Sequence, residues 1–263
     1  MTNKILEIES LSIKFPDLDF IAVKDSSFSI NEAEILALVG ESGSGKSLTA
    51  LSILGLEPQN SHVKGTIKFK GEFLLNSSGY SSASSRRYQQ GIRGIKISYI
   101  PQDPLSSLNP MYTIFNQLDE AIKVCDPSIR KETSFKKCLE SLTQVGIPDP
   151  QRTLNSYPYE LSGGMRQRVM IAMAIINDPD LIIADEPTTA LDVTVQANIL
   201  EVLKSLNKTL LFITHDLGVV AEIADRVVVM QEGLIVETQD VFELFENPQE
   251  EYTKHLLEAV PKL

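Results

Sequence analysis

Gly40-Glu41-Ser42-Gly43-Ser44-Gly45-Lys46-Ser47 has the spacing G-x-x-x-x-G-K-[ST], and its two flanks decide what it builds. Before it runs Ile35-Leu36-Ala37-Leu38-Val39, an unbroken apolar run ending at a glycine, which predicts a buried strand. After it, Leu48-Thr49-Ala50-Leu51-Ser52-Ile53-Leu54 contains no breaker and predicts a helix. Strand, glycine-rich loop and helix together let backbone N–H groups converge on a phosphate chain at a helix N-terminus. Residues 42 to 47 supply those groups, Lys46 reaches the β- and γ-phosphates, and the Ser47 hydroxyl sits on Mg²⁺. Nucleotide binding follows, but the loop alone does not separate kinase, GTPase, helicase and transporter motor.

Composition narrows the classes. The chain has 263 residues, enough for one large domain or a domain with a subdomain, and 43% of them are apolar, which suffices for a core. Thirty-five acidic against 24 basic side chains leave a formal charge of -11. That balance disfavours a basic nucleic-acid stripe and direct attachment to an anionic leaflet. No apolar run approaches the roughly 18 residues of a membrane span. The first residues, Met1-Thr2-Asn3-Lys4, lead straight into strand-like Ile5 to Ile8, so no signal peptide is expected. Cys125 and Cys138 have no partners at metal spacing and read as free thiols of a reducing compartment.

Outward from the loop, residues 5 to 14 and 20 to 30 predict an antiparallel strand pair around the turn Phe15-Pro16-Asp17. Lys64 to Phe69 reads as a strand, and the Ser- and Gly-rich stretch Asn76 to Ser85 as a solvent loop. Arg86, Arg87 and Arg93 read as a solvated basic edge. Ile95 to Ile100 predicts a strand ending at Pro101-Gln102, followed by the turn-rich Asp103 to Pro110. Helical spacing over 113–122 and 134–145, punctuated at Asp126-Pro127 and Pro148-Asp149-Pro150, makes residues 87–160 a mostly helical insert. A helix opens at Leu161-Ser162-Gly163-Gly164 and runs to about Ile176. Beyond it, Leu181 to Ala184, Thr209 to Thr214 and Arg226 to Met230 read as buried strands alternating with helices over 193–206 and 217–224. Helices over 241–245 and 252–260 close the chain, so 233–263 forms a strand and helical tail. This alternation predicts an α/β fold with a mostly parallel sheet core.

Chemistry gathers at the strand ends. Asp185, ending an apolar strand, is placed to hold Mg²⁺, and Glu186 after it to orient or deprotonate the attacking water. That pair argues for ATP hydrolysis over phosphoryl transfer to an organic acceptor. His215 can hydrogen-bond the γ-phosphate and the water-positioning acid, though alone it also reads as a satisfied structural histidine. Gln102 can offer its amide to Mg²⁺ or water. Two glycines at a helix start cost backbone entropy, so Gly163 and Gly164 imply a close approach. Ser162 with their amides forms a second anion-binding helix N-terminus. Either both phosphate sites face one nucleotide within a monomer, or two subunits sandwich two ATP molecules head to tail.

The order of the loop, Gln102, Leu161-Ser162-Gly163-Gly164-Met165, Asp185-Glu186, Ala190-Leu191-Asp192 and His215 resembles the ATP-binding-cassette (ABC) ATPases over almost the whole chain. The resemblance implies a P-loop ABC ATPase fold with an N-terminal antiparallel β-subdomain and an inserted helical subdomain. It implies ATP and Mg²⁺ as cofactors, with ATP held by Gly40 through Leu48 and Mg²⁺ by Ser47, Gln102 and Asp185. Lys46, Gln102, Glu186 and His215 take the catalytic roles. Ser162, Gly163 and Gly164 contact ATP bound to the partner, Asp192 belongs to the loop crossing the dimer interface, and Gln102 to the hinge of the helical subdomain. Phe15, or Phe20, takes the adenine-stacking position, with a core or turn-packing role as the other reading of Phe15.

Narrower phrases resemble the ATPase subunits of bacterial dipeptide, oligopeptide and nickel importers. These are Tyr99-Ile100-Pro101-Gln102-Asp103-Pro104, Leu108-Asn109-Pro110, Pro187 to Gln196, Thr214 to Ala221, and Phe245-Glu246-Asn247-Pro248 with Tyr252-Thr253 and Leu256-Leu257. The usual His-Pro before the tyrosine is Glu250-Glu251 here. This branch implies di- or oligopeptide import, with nickel or metal–metallophore import as the alternative. It also implies a second, related ATPase subunit (or a second copy of this chain), a two-subunit transmembrane permease and a solute-binding protein. The chain would then sit at the cytoplasmic face of the membrane, held there by the permease without insertion. Many members continue into a cysteine-rich extension. The given sequence ends at Leu263 with both cysteines upstream, so no iron–sulfur centre is expected. A soluble cassette ATPase of DNA repair or translation is the different-class reading. The lack of a second cassette, coiled coil or basic arm in this sequence speaks against it.

Overall fold

The computed structural model describes residues 3–76, 91–189 and 191–259. Most of the polar stretch 76–85, together with Arg86, Arg87 and Ala190, lies outside the described residues. The chain forms two compact units, Met1–Ile92 with Lys208–Leu263, and Arg93–Asn207.

The first unit begins with the expected antiparallel pair, β1 (Lys4–Phe15) and β2 (Phe20–Asn31). Their connection is a short 3₁₀ turn, Pro16–Leu18, closed by Asp19 in the left-handed region and by the Lys14–Asp19 ion pair at 2.7 Å. β4 (His62–Phe69) pairs antiparallel with β1, and β5 (Glu72–Leu75) with β4. β4 is longer than the expected 64–69, and β5 was not foreseen. Four residues carry too little period to register as a strand, and only the Lys70-Gly71 turn, with both residues at positive φ, reveals the hairpin.

The same unit holds β3 (Ile35–Val39), β8 (Thr209–Thr214), β9 (Arg226–Gln231) and β10 (Leu234–Asp240). β3 lies parallel to β8 on one side and β9 on the other, while β10 turns back antiparallel onto β9. Leu36, Ala37, Leu38 and Val39 are all buried, as parallel strands covered on both faces require. Leu36, Leu38 and Val39 each contribute roughly 1.5–3 kcal/mol of transfer free energy. The register sets Val39 opposite Thr214 and Val229, so the loop after β3 and His215 after β8 emerge at the same end of the sheet.

The second unit pairs β6 (Ile97–Ile100) in parallel with β7 (Leu181–Asp185). β6 starts two residues later than expected because residues 94–96 turn, with Gly94 N–H donating to the Ile97 carbonyl. Helices Ile114–Cys125 and Lys131–Gln144 pack together, Phe115 against Phe135, and the second also meets helix Gly163–Ile175. The buried Ser141 hydroxyl donates to the Ala172 carbonyl between them. One stretch expected as turns contains a short helix, Pro104–Ser107, and another short helix, Pro150–Asn155, follows the Pro148-Asp149-Pro150 punctuation inside the helical insert. Asp149 caps the latter by accepting Arg152 N–H, and Pro150 presets φ in its first turn. Among the described residues, no helix is long and apolar enough to cross a membrane.

Candidate active site

In the first unit, the loop after β3 leads into helix Lys46–Leu54. Gly40 has φ +150°, and a Cβ there would lie 2.0 Å from the Met230 carbonyl oxygen on β9, so only glycine fits. Gly45 is the N-cap and has no side chain to close the helix start, which suits an end meant for an anion. Lys46 is 4% exposed. A buried ammonium needs partners, and Nζ donates to the Gly40 carbonyl at 2.7 Å and the Glu41 carbonyl at 2.8 Å. The loop therefore folds around its own lysine and supplies two neutral acceptors that phosphate oxygens can replace.

His215, exposed just beyond β8, is followed by Asp216. The Asp216 N–H donates to Thr214 Oγ1, and its carboxylate caps helix Leu217–Ile223 through Gly218 and Val219 N–H. The imidazole is thus carried on a turn braced on both sides. Phe15 and Phe20 face each other across the mouth of the β1–β2 hairpin, Phe15 half-buried and Phe20 exposed.

In the second unit, β7 delivers the two acids on different backbone geometry. Asp185 completes the strand, 4% exposed, and the Tyr99 hydroxyl on the neighbouring strand donates to its Oδ2 at 2.9 Å. Burial, followed by the Asp185 charge and this bond, drives the Tyr99 phenol far above its ordinary value, so it stays protonated as a donor. Glu186 steps off the strand at φ +47°, an uncommon conformation for a non-glycine residue. Its Oε2 accepts from Gln102 Nε2 at 2.8 Å and from Thr189 Oγ1 at 2.9 Å. With its nitrogen engaged, Gln102 has its amide oxygen as the atom suited to a cation.

Ser162 is the N-cap of helix Gly163–Ile175, its hydroxyl accepting Met165 N–H at 3.3 Å. Asp192 caps helix Val193–Ser205 by accepting Val195 N–H at 3.0 Å. The two helix starts meet: a Cβ on Gly164 would lie 2.8 Å from Val195 Cγ1. Of the two glycines expected to mark a close approach, Gly164 does so and Gly163 does not, since a Cβ there meets nothing within 4 Å.

The second unit thus joins Tyr99 to Asp185, and Gln102 and Thr189 to Glu186. Tyr99 and Thr189 were not foreseen as site residues. Thr189 had a local signal, since a hydroxyl three residues beyond a left-handed Glu186 can reach its carboxylate. Tyr99 had none, because its bond spans strands 86 residues apart.

Residues 23–189 match the family model described as "ABC transporter". The oligopeptide transport ATP-binding protein OppD of Lactococcus lactis subsp. cremoris is 47% identical over 268 residues, 99% of this chain and 77% of that protein. The peptidoglycan transport ATP-binding protein YejF of Agrobacterium fabrum is 49% identical over 99% of this chain. OppD of Mycobacterium tuberculosis is 47% identical over the same share. The chain spans less than half of these last two, 48% and 42%. The dimeric ATP-binding cassette MJ0796 bound to ADP and phosphate superposes with a TM-score of 0.75 at 27% identity, over 90% of this chain and 98% of that one. CbiO1 of Clostridium perfringens gives 0.76 at 25%, over 93% and 92%. The chain belongs to the ABC transporter family and has the P-loop ABC ATPase fold.

Proposed function

We propose that this chain is the ATP-hydrolysing motor of a membrane importer whose cargo is di- or oligopeptides. The observation that carries this reading is Glu186, set at a left-handed step beyond β7 with one carboxylate oxygen held by Gln102 and Thr189. Two fixed donors hold the carboxylate's direction, as a residue that must orient one water requires.

Family membership and local geometry support the following part for each residue. Phe15 or Phe20 stacks on adenine. The amides of Gly40 through Leu48 cradle the phosphates. Lys46 exchanges the Gly40 and Glu41 carbonyls for phosphate oxygens, so its buried charge is compensated throughout. The donor set of Ser47, Asp185 and Gln102 is all oxygen, which suits Mg²⁺. When bound, the ion neutralises charge that builds on the phosphate oxygens. Glu186 aligns water with the γ-phosphorus. As the water oxygen bonds to phosphorus, the bond to the β–γ bridging oxygen breaks, ADP carries away the electron pair, and the water proton passes to Glu186. His215 donates to the γ-phosphate and reports its presence.

Ser162, Gly163 and Gly164 contact nucleotide held by a partner ATPase, with Asp192 on the loop crossing that interface. The partner is a related chain or a second copy. Closure around two nucleotides and reopening after hydrolysis move the helical region, residues 87–160, against a two-subunit permease at the cytoplasmic face. The names of the two oligopeptide transport relatives support peptides as cargo. The test is ATPase activity of the complex purified with its permease and solute-binding protein. Stimulation by peptides and not by a Ni²⁺ chelate supports the reading; stimulation by the chelate alone contradicts it.

A further inference from the structure

The C-terminal phrase Phe245-Glu246-Asn247-Pro248, Tyr252-Thr253 and Leu256-Leu257 has no part in the chemistry described so far. It runs through helices Val241–Glu246 and Glu251–Glu258. Phe245, Tyr252, Leu256 and Leu257 pack against a buried cluster containing Ala37 and Val39 of β3 and Val227 and Val229 of β9. β3 is the strand that feeds the phosphate loop. The last helix is also fixed from below. Glu237 on β10 is buried, and its carboxylate accepts Gln249 N–H at 2.8 Å, Glu250 N–H at 3.2 Å and Gln239 Nε2 at 2.8 Å. A buried carboxylate holding two main-chain donors locks the turn just before the helix. Thr253, fully buried, seats its first turn.

Tyr252 is thereby held with its hydroxyl accepting the backbone N–H of Glu41 at 3.0 Å. That N–H belongs to the same peptide unit as the Gly40 carbonyl, which accepts Lys46 Nζ at 2.7 Å. A peptide unit is planar, so fixing its N–H fixes the direction of its C=O. One plane is therefore gripped from behind by Tyr252 and in front by the lysine. Phosphate binding requires Lys46 to leave that carbonyl, and Tyr252 then restrains the peptide while Gly40, at φ +150°, supplies no side chain to do so.

We propose that Tyr252 is a positioning residue for the phosphate loop, holding the Gly40–Glu41 peptide in the orientation that accepts nucleotide. The proposal rests on the reading of Gly40 to Ser47 as the ATP loop. Losing one neutral hydrogen bond of this kind corresponds to roughly three- to tenfold in affinity.

The test uses the full chain as Tyr252→Phe, which keeps the ring and its packing. Binding of Mg·ADP is measured by calorimetry, and exchange of the Glu41 amide by NMR or mass spectrometry. The expected result is a roughly three- to tenfold weaker Kd and faster Glu41 exchange, with at most a small fall in the nucleotide-free melting temperature. Wild-type affinity and exchange in Tyr252→Phe overturn the proposal. Tyr252→Leu removes the ring as well. If it weakens binding while Tyr252→Phe does not, the residue acts only through packing and the proposal also falls. Lys46→Ala separates the two levels: if it binds Mg·ADP like wild type, the ATP-loop reading itself fails, whatever the exchange at Glu41 shows.

Discussion

Tyr99→Phe removes one oxygen and leaves the ring in place, which isolates the bond between two strands of the second unit. In the native chain the phenol donates to a carboxylate that is 4% exposed, at 2.9 Å. A hydrogen bond to a charged group is worth about 1.5–3 kcal/mol. The tyrosine is half-buried, so solvent takes over part of the role and the low end applies, about 1.5 kcal/mol at neutral pH. The pH dependence has a definite sign. The folded-state pKa of Tyr99 is raised above its unfolded value, so its contribution is fully present below about pH 10. It is lost as pH rises from there towards the folded value, by at most about 1.4 kcal/mol per unit. Urea unfolding of wild type and Tyr99→Phe at pH 7.5 and pH 10.5 reads both effects. The account predicts a lower midpoint for the variant at pH 7.5 and a narrower gap at pH 10.5. Equal midpoints at pH 7.5, or a gap that widens in alkali, would refute it.

Clearance and burial set two further outcomes. Gly40→Ala places a Cβ 2.0 Å from the Met230 carbonyl oxygen. It is expected to abolish detectable Mg·ATP binding by calorimetry and to lower the melting temperature, because neither backbone can yield without moving β3 or β9. Cys138 is fully buried, and burial, the first of several influences, raises its thiol to about 12. Cys125 is exposed. A thiol reagent at pH 8 should therefore label Cys125 alone in the native chain and both after denaturation, which peptide mass mapping checks.

The parts legible in the sequence were those written in contiguous residues. The run Ile35 to Val39 into Gly40 to Ser47 announced strand, loop and helix because the period and the breakers sit side by side. The starts of the helices after Thr113, Ser162, Asp192 and Asp216 were equally local, and the structure closes each with a short polar side chain accepting a backbone N–H two or three residues on. What escaped depends on strand register or chain return. Tyr99 meets Asp185, Gln102 meets Glu186 and Tyr252 meets Glu41 across 86, 84 and 211 residues. No periodicity encodes such partners. β5 and the short helix Pro104–Ser107 escaped for the opposite reason, being too brief to show a period.

If Glu186 takes the proton of the attacking water, Glu186→Gln should stop hydrolysis. The amide keeps the shape of the side chain but cannot take the water proton, which should cost about 10²–10⁴-fold in turnover. In the complex purified with its permease, the account predicts that Mg·ATP binding persists, steady-state phosphate release falls to background, and the ATPase subunits remain closed on unhydrolysed ATP. Wild-type phosphate release by Glu186→Gln would contradict it.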